Sequence, residues 1–165
     1  SFGRNLQCDI GYVASSTCLR NIQTCENILL GKAQNRNIVK APNEMEYPQT
    51  KDIFLSDKVF KELKFNNQEI IFKLRKEGFN SIQESAKIML DYMFSNGNLE
   101  NTVDLYCTHD FQMAILYAYL FDFASTRRSI ENNKWPMMLE GMILWGEKKH
   151  FWCSWRNEIR EFVNT

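Results

Sequence analysis

The chain has 165 residues, 44% of them hydrophobic and 13% aromatic, enough for one compact domain spanning 1–165 with a sizeable core. Its 20 basic and 20 acidic side chains cancel, which excludes the basic excess that general binding to nucleic acid or to an anionic membrane requires. No uncharged apolar run reaches bilayer-spanning length, and no signal-peptide pattern opens the chain.

In chain order, "DIGYVASS" (9–16) reads as a strand: short, mostly apolar, ending in two serines. "TCLRNIQTCENILL" (17–30) reads as a helix, with Leu19, Ile22, Cys25, Ile28 and Leu29 at helical spacing and Gly31 as its stop. Residues 32–56 are polar and contain Pro42 and Pro48, the composition of a long surface excursion. Residues 57–78 read as an amphipathic helix broken near Asn66 and Asn67. "NSIQESAKIMLDYMF" (80–94) carries a sharper signal. Ser81 and Glu84 fit a capping box, and Ile82, Ala86, Met89, Leu90, Met93 and Phe94 form one stripe. "TVDLYCT" (102–108) is a second strand, and "FQMAILYAYLF" (111–121) a helix apolar nearly all round, hence deeply buried. "GMILWGEKKHFWCSW" (141–155) predicts a hairpin turning at its polar centre. Strands alternating with helices predict an α/β sheet with a mainly parallel core, to which the hairpin adds an antiparallel edge.

Five scattered cysteines, mostly among apolar neighbours, read as reduced core residues of a cytoplasmic protein. No C-x-x-C or comparable spacing signals a metal site, and no cofactor is expected.

The two strand-to-helix junctions are polar: Ser15-Ser16-Thr17 with Arg20 one turn on, and Thr108-His109-Asp110. In open α/β sheets ligands bind beyond the carboxyl ends of the strands, where helix N-termini present unpaired N–H groups to an anion. Arginine grips a phosphate with two parallel charged hydrogen bonds. Protonated histidine can hold a phosphoryl oxygen, and a neighbouring aspartic acid can give a proton to a departing one. Junctions on neighbouring strands would gather Arg20, His109 and Asp110 around one pocket. The plainer alternatives are a surface Arg20 paired with Glu26 or another carboxylate, a core His109 satisfied by backbone, and an Asp110 that only caps its helix. His150, among lysines in the hairpin turn, reads as solvent-exposed.

At these residues the sequence resembles the histidine phosphatase superfamily, the phosphoglycerate mutase-like and acid phosphatase-like proteins. "YVASSTCLRNIQTCENIL" is similar to the motif S-S-P-L-x-R-x-x-Q-T-A, with Ser15, Ser16, Arg20, Gln23 and Thr24 in register and Thr17 and Cys18 in place of Pro and Leu. "YCTHDFQMAILYAYL" resembles the late motif, a strand ending in S/T-H-D before a buried helix. "FNSIQESAKIML" and "WPMMLEGMILW" are weaker likenesses to a helix opening in G-E-S and to the edge strand of acid-phosphatase-like members.

The resemblance implies a three-layer phosphoglycerate mutase-like fold, with helices on both faces of a mainly parallel central sheet and a C-terminal antiparallel hairpin. It implies phosphomonoester hydrolysis through a phosphohistidine. Arg20 and His109 would bind the phosphoryl group, and Asp110 would donate the proton. In the mutase-like branch a glutamate of the excursion is the donor, which makes Glu46 the alternative, with Glu44 behind it. The segments 32–80 and 122–136 would cover the pocket and set specificity; within them Arg127 and Arg128 read as a solvated loop pair, with contact to an anionic substrate as the alternative. The partner is a phosphorylated small molecule or a phosphoprotein; oligomeric state is open. The family's nucleophile lies in an R-H-G motif, and no arginine here is followed by histidine. The expectation is a strand upstream of Ser1 that carries it. The alternative is a catalytically inactive phosphatase-like module that binds a phosphorylated ligand or a protein partner.

Overall fold

The computed structural model describes residues 2–40, 43–62, 78–97, 100–121 and 135–163. A short helix α1 (Phe2–Asn5) leads into β1 (Asp9–Ser15), which ends before α2 (Leu19–Lys32). Then come β2 (Val39–Lys40), α3 (Asn43–Glu46), α4 (Ile53–Glu62), α5 (Ile82–Asn96), β3 (Thr102–Cys107) and α6 (Asp110–Leu120). Three strands close the chain: β4 (Ile143–Glu147), β5 (His150–Trp155) and β6 (Glu158–Val163).

The first three strands form a parallel sheet in the order β2-β1-β3. The β1–β3 register runs from Asp9 opposite Thr102 to Ser15 opposite Cys107, with a shift between Ile10 and Val13. There the Tyr12 N–H donates to Asp104 Oδ1 at 2.7 Å. Gly11 leaves room for that carboxylate, since a Cβ at this position would lie 2.8 Å from the same oxygen.

Helices lie on both faces of this sheet. Ile10 and Val13 bury themselves against Cys25 and Leu29 of α2, with Leu105 and Cys107 of β3 packed alongside. On the other face Tyr12 and Tyr106 meet Tyr92 of α5, whose hydroxyl lies 2.6 Å from that of Tyr12. The main core continues from α5 and α6 to Phe151, Cys153 and Trp155 of β5. The described residues therefore form an α/β structure with one parallel and one antiparallel three-stranded sheet.

Several expected elements form where local chemistry predicts them. Ser81 Oγ accepts the Glu84 N–H at 3.1 Å and Glu84 Oε2 accepts the Ser81 N–H at 2.7 Å, the two reciprocal bonds of a capping box. In α6, Phe111, Ala114, Ile115, Leu116, Ala118 and Leu120 are all buried, as an all-round apolar helix requires.

Other expectations need correction. Gly31 does not stop α2, which runs on to Lys32 and ends with Ala33 in the left-handed region (φ 55°). The helix also begins at Leu19 rather than Thr17. The Ser16 N–H still bonds to the Cys107 carbonyl at 2.9 Å, so the chain stays tied to the sheet past β1. The hairpin forms but does not edge the parallel sheet; with β6 it makes a separate sheet in the order β4-β5-β6. Arg156 and Asn157 join β5 to β6 with φ of 48° and 69°. Positive φ at both positions suits the turn that follows the twist of a tight hairpin.

In the described part of 32–80, β2 pairs with β1, and Met45, Gln49, Thr50 and Ser56 are buried. Helix α4 starts at Ile53, inside the stretch read as surface chain, and carries Phe60 to an edge contact with Phe111. The helix break expected near Asn66 and Asn67 lies outside the described residues.

Candidate functional site

Because β1 and β3 are adjacent, parallel and in register at Ser15 and Cys107, both strands end at the same edge of the sheet. The chain then turns into α2 and α6, whose N-cap residues are Cys18 and His109. Neither N-cap side chain accepts a hydrogen bond from its helix. Two helix N-termini uncapped by these side chains thus stand side by side, the polarity that suits an anion.

The first turn of α2 carries Arg20 across this gap. Its terminal nitrogen lies 3.3 Å from His109 Nδ1. A guanidinium has no acceptor atom, so the arginine donates and Nδ1 accepts. That fixes the neutral tautomer with its proton on Nε2. Burial pushes the His109 pKa down, and the Arg20 charge adds to the effect; Glu46 and Asp110 pull the other way but do not win. The imidazole is therefore neutral near pH 7, not protonated as the sequence reading required of a phosphate-holding histidine. Comparison with models of known protein families, with curated proteins and with solved structures finds no match to this chain.

Asp110 does not cap α6; it is the first helical residue, one beyond His109. Its Oδ1 accepts the Phe111 N–H at 3.0 Å and its Oδ2 accepts the indole N–H of Trp135 at 2.6 Å. Glu46 borders the same gap. Its Oε1 accepts the Thr17 hydroxyl at 2.6 Å, while its carbonyl accepts the Gln112 side-chain amide at 2.7 Å. The neighbouring Met45 carbonyl accepts the Thr108 hydroxyl at 3.4 Å. Helix α3 is thereby pinned to both junctions, and the charges of Glu46 and Asp110 both act on His109. Glu44 is exposed, and its charge acts on Tyr92.

Ser15 and Ser16 are buried and support the turn. Ser15 Oγ donates to the Ser16 carbonyl at 3.0 Å, and Ser16 Oγ accepts the Asn21 amide at 2.7 Å. Beneath them the Cys107 thiol is pushed up by its hydrogen bond with Cys25 and by burial. All five cysteines are free. Among the described residues no group of three or more His, Cys, Asp and Glu is arranged to hold a metal ion.

His150 lies elsewhere, on the antiparallel sheet. It is exposed, with Nε2 2.7 Å from Glu161 Oε1 and its ring against Trp152. Arg127 and Arg128 lie outside the described residues. An open groove of about 700 Å³ runs along the far side of α2, lined in part by Ile22, Glu26, Leu29 and Ile38, and does not include Arg20 or His109. No helix among the described residues is long and apolar enough to cross a membrane.

Thr17 and Thr108 belong to the two polar junctions the sequence marks, but Trp135 is a site residue to which sequence reasoning gave no role. Trp135 is 25 residues from Asp110 and nothing local marks it.

Proposed function

We propose that the protein is a phosphomonoester hydrolase of the histidine phosphatase type with a phosphoglycerate mutase-like fold. The observation that carries the reading is the 3.3 Å approach of Arg20 to His109 Nδ1 at the carboxyl ends of two adjacent parallel strands. The fold supports it through helices on both faces of a parallel sheet whose strand order, among the described residues, is β2-β1-β3.

On this reading the nucleophilic histidine attacks phosphorus and the bond to the leaving oxygen breaks. Arg20 and His109 hold the non-bridging oxygens, whose charge the transition state spreads. Asp110, in its acid form, gives its proton to the departing oxygen, so the alcohol leaves neutral. Water then attacks the phosphohistidine, and the Asp110 carboxylate takes the proton that water loses. Inorganic phosphate and the free histidine result. The substrate is a phosphorylated small molecule or a phosphoprotein.

A second reading is favoured by the lack of any arginine–histidine pair in these 165 residues: an inactive relative that binds a phosphorylated ligand or protein. Release of inorganic phosphate from p-nitrophenyl phosphate by the full-length protein, lost in Arg20→Ala, supports the hydrolase. Phosphate binding without any turnover supports the module. Turnover unchanged in Arg20→Ala rules out the site.

A further inference from the structure

We infer that Trp135 is a positioning residue for Asp110, and that Arg156 and Glu140 hold Trp135 in place; the role rests on the hydrolase reading above. An indole N–H is a donor only and keeps its proton at any working pH. Bonded at 2.6 Å to Asp110 Oδ2, it ties up one acceptor position of that oxygen. The Phe111 N–H does the same at Oδ1. Two bonds from different directions set the plane of the carboxyl group.

Trp135 is itself held from the antiparallel sheet. Arg156, in the turn between β5 and β6, donates to the Trp135 carbonyl at 3.0 Å. The same guanidinium makes two hydrogen bonds to Glu140 and lies over the Trp155 ring. Glu140 in turn accepts the Met137 N–H at 2.8 Å, closing the loop that carries Trp135. Burial raises the Glu140 pKa, but the bonds from Arg156 and Met137 outweigh it and keep the group ionised. The left-handed Arg156 thus links the second sheet to the candidate site. The chain Glu140–Arg156–Trp135–Asp110 gives the separate antiparallel sheet a place in the chemistry.

The test uses the full-length protein and two esters. Phenyl phosphate has a poor leaving group that needs a proton; 2,4-dinitrophenyl phosphate has one that leaves as the anion. Trp135→Phe keeps the ring and removes the N–H. It is expected to lower kcat/KM for phenyl phosphate about 10-fold or more and to leave the dinitrophenyl ester within about twofold, the pattern of impaired general-acid catalysis. Equal losses on both esters, or none, overturn the positioning role. In the NMR spectrum the Trp135 indole proton is expected downfield, moving upfield in Asp110→Asn and staying put in Arg20→Ala. An indole signal indifferent to Asp110→Asn overturns the contact, whatever the fate of Trp135→Phe. A wild-type protein inactive on both esters overturns the hydrolase reading and this role with it; an active wild type with equal losses in Trp135→Phe overturns this role alone.

Discussion

Arg20 and His109 are 89 residues apart in sequence and 3.3 Å apart in space. The approach exists because β1 and β3 are parallel neighbours whose last residues are in register, so each following helix starts at the same level. One cation and one neutral acceptor imidazole then face a gap that two helix N-termini make receptive to an anion.

Replacing Arg20 is expected to cost function, not fold. The residue is exposed, at the start of α2, clear of both core clusters. Arg20→Ala should lower kcat/KM for p-nitrophenyl phosphate by about 100-fold or more, the loss typical of removing a charge-stabilising donor. Its unfolding midpoint in urea should match the wild type. A lowered midpoint with unchanged kinetics would make Arg20 a structural residue.

The His109 environment predicts how stability varies with pH. The folded protein resists protonating this ring, whereas the unfolded chain takes up a proton as pH falls through about 6.5. Its contribution is full above that value and is lost as pH drops toward the lower folded value. The urea midpoint should therefore decrease from pH 7.5 to 5, and decrease less in His109→Gln.

Asp110 and Glu46 compete for the proton-donor role, and their contacts differ. Asp110 is held by an indole and a backbone N–H, Glu46 by the Thr17 hydroxyl. Asp110→Asn should lower kcat/KM for phenyl phosphate about 100-fold, and Glu46→Gln less than about 10-fold. The reverse order would transfer the role to Glu46.

The capping box offers a test far from the site. Ser81→Ala removes an acceptor for the Glu84 N–H and should destabilise the protein by about 1 kcal/mol, read from urea unfolding, with phosphate hydrolysis unchanged. An unchanged midpoint would mean that α5 is held by its buried stripe alone.

What could be read from the chain itself was local. The stripe Ile82, Ala86, Met89, Leu90 with Ser81 and Glu84 announces α5, because a helix repeats its contacts every three or four residues and caps itself within one turn. The apolar run 111–121 and the polar break near Lys148 and Lys149 are legible for the same reason. The pairing of the two polar junctions was an inference from parallel-sheet rules, and the Arg20–His109 approach agrees with it. Gly31 misled because glycine tolerates the left-handed cap without requiring it, and Ala33 took that place instead.

The rest was decided in three dimensions. Strand β6 exposes Ile159 and Val163 and partly buries Arg160 with Phe162, so its hydropathy does not mark its faces, and its pairing with β5 is what makes it a strand. The protonation state of His109 depends on the burial and charge that the fold brings to it. The bonds from Thr17 to Glu46 and from Trp135 to Asp110 join residues 29 and 25 positions apart. Composition and periodicity dictate which residues must be buried and where the backbone can turn, because those forces act within a few residues. Which polar groups meet depends on how the buried faces pack, and a bond between distant residues leaves no mark at either position alone.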